Sequence, residues 1–385
     1  MTPLKTIQPS LPLPEPLRGA DENSFAQYSV VVRLVDIGRR ALSENKLPLE
    51  RAVKLERLVT EIPSAPIRLL DDTDSPDAAE WQGYISPYLG LDWLQVPWFF
   101  AEEYFYRRIL EATGYFEPGA GQGVDPFEDQ KRLGLETSQE GYRLMSAALN
   151  RRLAGTGSRR DALHALLNAD LWGNQSDLSL WPAGETGKPD HADGDRASAF
   201  LLVDHSEAVL DHLYQQDPQR AQVEFWVDNA GFELVCDLCL ADFLLSAGLA
   251  ATVHLHLKAQ PTFVSDAMIK DVRSTISSLS QDRDADVRLF AGRLAGHVES
   301  GRLMLDEHTF WTSPLAAWEM PPDLYQRFSQ SHLVISKGDA NYRRILGDRH
   351  WPYTTPIDQI VSYFPAPLLL LRALKSEVAA GLPAA

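Results

Sequence analysis

The chain has 385 residues, 44% of them hydrophobic, and 53 acidic side chains against 36 basic ones give a formal net charge of −17. That length supports one large or two ordinary domains with a sizeable core. The acidic balance excludes the basic footprint that nucleic-acid or anionic-membrane partners require. No apolar run approaches the roughly 18 residues of a membrane span, and the N-terminus has neither the basic start nor the apolar core of a signal peptide, so a cytoplasmic location is expected.

Residues 1–24, rich in Pro and polar residues without periodicity, read as an extended arm. Residues 25–160 read as a helical subdomain: Val30, Leu34, Ile37 and Ala41 recur at helical spacing, and a second apolar stripe runs from Trp98-Phe99-Phe100 through Phe105 and Ile109. On that stripe Glu102, Tyr106 and Arg107 either reach a pocket or form an ion-pair network between subdomains. Gly119-Ala120-Gly121-Gln122-Gly123 resembles a nucleotide or S-adenosylmethionine loop, but such loops follow a strand and open a helix. Here the glycines follow a helix, so a plain loop is expected. The helical pattern from Leu144 to Leu171 stops at Gly173, where Asn174 and Asp177 either cap a turn or line a pocket wall. Pro182–Arg196 is polar and reads as a mobile loop.

Residues 161–385 alternate between strand and helix: strands near 199–203, 223–227, 252–258 and 332–336, helices near 206–215, 233–247, 266–279, 284–296 and 341–346. The expected fold class is therefore α/β, a three-layer α/β/α sandwich on a mostly parallel, doubly wound sheet, with the helical subdomain in front. Each of the four β runs is followed by a carboxylate, at Asp204, Asp228, Asp266 and Asp339, where a parallel sheet would converge them on its ligand crevice. Asp204 is also explained as a helix cap. Cys236 and Cys239 form a lone C-x-x-C inside a predicted helix and read as packed core residues. His254 and His256 share one face of a strand and read as packed or hydrogen-bonded side chains rather than metal ligands. Lys258 ends that strand, where a phosphate could meet it.

The focal stretch is Val223–Glu233, a β run ending in Asp228-Asn229, then Gly231 and a helix start. Asp228, Asn229 and Asp266 form an oxygen donor set suited to a hard divalent cation, and three protein ligands leave positions for water and substrate. Lys337, Arg343 and Arg344 follow the last strand; an ammonium and bidentate guanidinium groups beside a cation are what phosphoryl transfer asks for. Asp228 has three open roles, as ligand, base or nucleophile, since each wants a carboxylate in one place.

Several stretches together resemble the metal-dependent damage-control phosphatases, the family once called domain of unknown function 89, and most closely its third, acidic-residue-methyltransferase-like subfamily. They are Pro97–Glu102, Tyr106–Ile109, Leu171–Asn174 with Asp177–Ser179, Val227–Glu233, Phe263–Asp266, Trp311–Pro314 and Lys337–Asp339 with Asn341–Arg343, and they extend over nearly the whole chain. The resemblance implies manganese, cobalt or nickel, with magnesium as a further hard ion, on Asp228, Asn229 and Asp266. It also implies substrate contacts from Glu233, Asp339 and Arg343, in a set that takes in Lys337, Asn341, Tyr342, Asn174 and Asp177. A late Arg-Thr-x-Lys motif of the subfamily corresponds to Arg372-Ala373-Leu374-Lys375, so Lys375 carries over while Ala373 replaces the Thr; Ala340 replaces a usual Leu. The implied substrates are sugar phosphates such as fructose 1-phosphate and fructose 6-phosphate.

The leading expectation is a metal-dependent phosphomonoesterase acting on a small phosphate ester, with oligomeric state open. The alternatives are an S-adenosylmethionine-dependent protein-glutamate carboxyl methyltransferase, which needs no cation, and a sugar-phosphate sensor that binds without turnover.

Overall fold

The computed structural model describes residues 8–155, 157–173 and 201–384. Five strands, β1 (Gln222–Trp226), β2 (Thr252–Lys258), β3 (Leu303–His308), β4 (Leu333–Lys337) and β5 (Leu368–Leu371), form one sheet in the order β3-β2-β1-β4-β5. Every neighbouring pair is parallel, with Val223 opposite both Val253 and Leu333. The chain leaves β1 toward β2 and later returns to β1's other edge through β4. That reversal is the switch point at which parallel sheets open a crevice beyond their carboxyl ends.

Side-chain alternation divides the strands between two cores. Val223, Phe225, Val253, Leu255, Leu257, Leu333 and Ile335 join a core beneath one face, while Trp226 and Val334 join the core on the other. The helices are α1 (Leu34–Glu44), α2 (Leu49–Glu61), α3 (Ala78–Ile85), α4 (Trp98–Thr113), α5 (Glu128–Glu136), α6 (Gln139–Ala154), α7 (Arg159–Gly173), α8 (Ser206–Tyr214), α9 (Phe232–Ser246), α10 (Ile269–Ser280), α11 (Ala285–Glu299), α12 (Pro322–Phe328) and α13 (Gly338–Leu346), besides shorter turns. Helices α6, α7, α9 and α11 pack together on the first face. The second face is covered by α12, α13 and residues of α1–α4. The result is the expected three-layer α/β arrangement.

Helices α4, α9 and α13 are buried along almost their whole length. In α9, thirteen of fifteen residues are buried, among them Glu233, Asp237 and Asp242. In α4, all sixteen are buried, including Glu102, Glu103, Arg107, Arg108 and Glu111. Charges removed from water need partners, and each finds them: Arg107 bonds Asp72 and Asp77, Arg108 bonds Glu111 and Glu61, and Asp242 bonds Arg293 and His297. The pairs of Arg107 stay within the helical subdomain, Glu102 pairs across it with Arg343, and Tyr106 packs against Phe127 and Phe263.

The structure departs from the expected elements in several places. Of the strand expected at 199–203, the described residues 201–203 carry none, with Leu202 and Val203 exposed, while residues 199 and 200, like the loop expected at 182–196, lie outside the described residues. Asp204 instead accepts the Ser206 amide at 2.9 Å, at the start of α8. Strands β3 and β5 were not anticipated. Leu303–His308 mixes acidic and apolar residues because it lies at a sheet edge, and Leu368–Leu371 is only four residues long behind Pro365 and Pro367. Helix α10 starts at Ile269 rather than 266, since Asp266 and Met268 are held in extended bridges to Asn229 and Lys258. Gly119–Gly123 lies between α4 and α5, and a Cβ on Gly121 would fall 2.2 Å from the Thr113 carbonyl oxygen, so close packing accounts for that glycine.

Candidate active site at the carboxyl ends of β1, β2 and β4

Asp228 and Asn229 follow β1 directly and Asp266 stands in the loop after β2. All three are buried, at 3%, 2% and 1% exposure. Backbone bonds from Ala230 to Ser265 (2.7 Å) and from Ala267 to Asp228 (2.8 Å) join the two loops. The β2 loop reaches this position through Phe263 and Val264, both at positive φ (47° and 68°). For a β-branched residue such a conformation costs on the order of 1–3 kcal/mol and persists only where packing over-determines it. Here Phe263 packs on Phe99 and Tyr106, and Thr262 donates to Glu103 at 3.1 Å.

The Asn229 carboxamide is oriented by its neighbours. Its Nδ2 donates to Asp228 Oδ2 (2.8 Å) and Glu233 Oε2 (2.7 Å), and its Oδ1 accepts from Ser265 Oγ (2.6 Å). Both amide protons are thus spent on carboxylates, which leaves the oxygen turned toward the β2 loop. Two carboxylates and one carboxamide oxygen from adjacent loops make a hard, oxygen-only set, and this chemistry fits a divalent ion of the magnesium or manganese kind. Lys258 lies 3.1 Å from Asp266 Oδ2, so this strand-end lysine faces a predicted ligand. Elsewhere the carboxylates of Asp125, Glu128 and Asp271 come within 4.8 Å of one another, but Lys131 and Lys270 already bond into that group.

The β4 end closes on the same rim. Gly338 has φ +80° and sits so near Asp228 that a Cβ there would lie 1.8 Å from Oδ2. Asn341 donates to the Trp226, Val227 and Lys337 carbonyls at 3.0–3.3 Å, which ties α13 to the ends of β1 and β4. Asp339 bonds Arg372 (2.7 Å) and Ser376 (3.3 Å), so the Arg372–Lys375 stretch is drawn to the start of α13, with Lys375 half-buried beside it. Arg372 also lies over the Tyr342 ring at 4.1 Å.

Two predicted phosphate partners are otherwise engaged. Lys337 has no exposed surface, and its ammonium bonds Asp170 and Asp237. Arg343 pairs with Glu102 (2.5 Å) and Asp348 (2.7 Å) and stacks 3.4 Å from the Trp98 ring centroid. A cavity of about 420 Å³ lies near the other end of α13 and is lined by Arg343, Arg344, Asp348 and Trp318 among others. Asn174 and Asp177 lie outside the described residues.

The match to known proteins runs through the whole of this architecture. The model of the "Damage-control phosphatase ARMT1-like domain" matches residues 30–385. The chain belongs to the damage-control phosphatase ARMT1-like family. That membership makes it a damage-control phosphatase. It is 32% identical over 413 aligned positions to damage-control phosphatase ARMT1 of Danio rerio, spanning 96% of this chain and 91% of the relative. To the protein of the same name from Rattus norvegicus it is 35% identical over 306 positions, 75% of this chain and 69% of the relative. A solved DUF89 family protein of Pyrococcus horikoshii aligns at a TM-score of 0.48 and 13% identity, covering 89% of this chain and 90% of that one. No helix among the described residues is long and apolar enough to cross a membrane.

For this phosphatase, sequence reasoning missed four groups beside the candidate site. Asp237 stands one helical turn from Glu233 in an otherwise apolar helix, and a carboxylate inside an all-round apolar pattern is itself a signal of buried pairing. Asp170 and Ser265 carry no comparable signal. Glu103 is the fourth: buried, 2.8 Å from Arg344 and bonded by Thr262. Burial pushes its carboxyl from 4.5 up to about 8, against the pull of Arg344 and Lys258 and with a push from Asp266. A raised folded-state value means stability that is complete below the unfolded value and is lost as pH climbs through about 8. The thermal midpoint of the wild type should therefore drop between pH 6 and 9 by several degrees more than that of Glu103→Gln; parallel curves would refute the assignment. The thiols of Cys236 and Cys239 are pushed well up by burial inside α9, as packed residues rather than a redox pair. His254 and His256 bond Asp306 and Glu224.

Proposed function

We propose that this phosphatase hydrolyses small sugar phosphates, such as fructose 1-phosphate or fructose 6-phosphate, at the rim built by Asp228, Asn229 and Asp266. The observation that carries the reading is the convergence of these three oxygen donors at the sheet's switch point, on loops clamped to one another and strained to reach there. Manganese, cobalt, nickel or magnesium held by these side chains would supply charge for a phosphate oxygen and acidify a bound water. The chain's own groups do the rest. Asp228 and Asp266 anchor the ion, Asn229 presents an oxygen whose direction is fixed by Glu233, and Lys258 adds a positive charge at the same edge. Asp339, Tyr342 and Lys375, gathered along α13 and the Arg372–Lys375 stretch, form the wall proposed to hold the sugar and its phosphate, with Arg343 committed behind it to Glu102 and Asp348. Within that set, Asn341 and Lys337 serve the scaffold, since their donors are committed to backbone carbonyls and buried carboxylates.

The test is phosphate release from a panel of sugar phosphates and an aryl phosphate by metal-stripped protein resupplied with each ion. Release that returns with metal and ranks fructose phosphates first is expected. Equal rates on all esters would sink the substrate assignment, and release in excess chelator would sink the metal.

A further inference from the structure

Lys337 ends β4 and has no solvent exposure, and neither do the three carboxylates around it, Asp170, Asp237 and Glu233. Its ammonium has three protons. Two go to the Asp170 backbone carbonyl at 2.6 Å and Asp170 Oδ1 at 2.7 Å, and Asp237 Oδ1 at 3.1 Å and Glu233 Oε1 at 3.8 Å stand within ion-pair range. The ammonium is enclosed by these groups and has no surface open to a ligand. The three partners come from two helices packed face to face. Glu233 and Asp237 lie one turn apart on α9, and Asp170 lies near the end of α7, where a Cβ on Gly173 would sit 3.0 Å from Cys236 Sγ and 3.4 Å from the Glu233 Cα. Burial disfavours the ammonium's charge, yet Asp170, Asp237 and Glu233 together hold it above its ordinary range.

Beyond Glu233 the chain of contacts reaches the rim. Glu233 Oε2 accepts from Asn229 Nδ2 at 2.7 Å, and the other amide proton goes to Asp228 at 2.8 Å. An asparagine amide offers an oxygen on one side and two donors on the other. If the Glu233 carboxylate swings away, the NH₂ keeps only its bond to Asp228, and a flipped amide presents N–H rather than oxygen to a cation. Glu233 thus shares with Asp228 and Ser265 the orientation of Asn229, and Lys337, 3.8 Å from Glu233 Oε1, is a buried counter-charge beside it.

We propose that Lys337 is a positioning residue that orients the Asn229 carboxamide through Glu233, and that it is no phosphate contact. This deepens the proposed site and rests on the reading of Asp228, Asn229 and Asp266 as ion ligands. Side chains that orient metal ligands are worth about 10–100-fold in metal affinity. Lys337→Met is expected to raise the Kd for Mn²⁺, read as free ion by electron paramagnetic resonance, by about tenfold or more. At saturating Mn²⁺ the Ki of inorganic phosphate should stay within about threefold of wild type, because the anion meets the same charges. A raised Ki with unchanged Mn²⁺ affinity would overturn the proposal and make Lys337 a phosphate contact, leaving the site reading intact. Where Lys337→Met fails to fold, Asp237→Asn decides. This near-isosteric change loosens the same clamp and should weaken Mn²⁺ in the same direction; a folded Asp237→Asn protein with wild-type affinity also overturns the proposal. A wild type that binds Mn²⁺ without releasing phosphate removes the phosphatase chemistry from the rim but leaves the Mn²⁺ comparison to decide the role of Lys337. A wild type that binds no Mn²⁺ overturns both.

Discussion

Asp228→Asn should lower kcat/KM for metal-dependent phosphate release by about three orders of magnitude, equivalent to ~4 kcal/mol of transition-state stabilisation. The substitution keeps shape and removes one negative charge. A buried carboxylate facing a divalent ion contributes charge, not volume, so the near-isostere should be almost as damaging as truncation. It should also leave the fold intact, because the loop is held by backbone bonds to Ser265 and from Ala267 that do not involve the side chain. The measurement is activity across Mn²⁺ concentrations alongside a thermal melt. Full activity restored by excess Mn²⁺ would reduce Asp228 to an affinity determinant, and full activity without extra ion would remove it from the site.

Gly338→Ala is the second large effect, and it acts on stability and activity together. Gly338 adopts φ +80°, and the added methyl would meet Asp228 Oδ2 at 1.8 Å and Cγ at 2.3 Å. A left-handed backbone costs an L-residue roughly 1–2 kcal/mol and overpacking commonly about 1–3 kcal/mol more. The obstructing carboxylate is fixed on a clamped loop, so the expected loss is about 3 kcal/mol or more. Chemical denaturation gives the stability term and phosphate release at a temperature where the variant stays folded gives the other. A variant within about 0.5 kcal/mol of wild type, an ordinary surface effect, would mean that the ends of β1 and β4 are not so closely apposed.

What the sequence made legible follows from periodicity. β1, β2 and β4 are short β-rich runs bounded by turns, α9 is a long apolar run after Gly231, and both types of pattern survive burial. Those elements alone place Asp228, Asn229 and Asp266 near one sheet edge. β3 was hidden because an edge strand with one exposed side reads as polar, and β5 because four residues carry too little pattern. At Leu201–Val203 the opposite holds: composition favours a strand, but only a neighbouring strand makes one. The fates of Lys337 and Arg343 were beyond reach, since a basic residue after a strand looks the same whether it faces a ligand or a buried carboxylate. Asp348 is near Arg343 in sequence, but the partners that bind these residues to other helices lie far away, Asp170 on α7 and Glu102 on α4. Ser265 and Glu103 act through a backbone turn at Phe263–Val264 that no propensity favours.

The adjacent pairs Glu102–Arg343 and Glu103–Arg344 join α4 to α13 as two parallel, buried rungs. Each rung is backed by further partners: Arg343 by Asp348, Glu102 by Ser29 and Arg33, and Arg344 by the Trp311, Ser313 and Leu315 carbonyls. Losing one side chain of a rung therefore costs less than the roughly 3–5 kcal/mol of a buried charge left wholly unpaired. A chimera that takes the two helices from different relatives disturbs both rungs and their backing at once, and so costs far more than any single substitution.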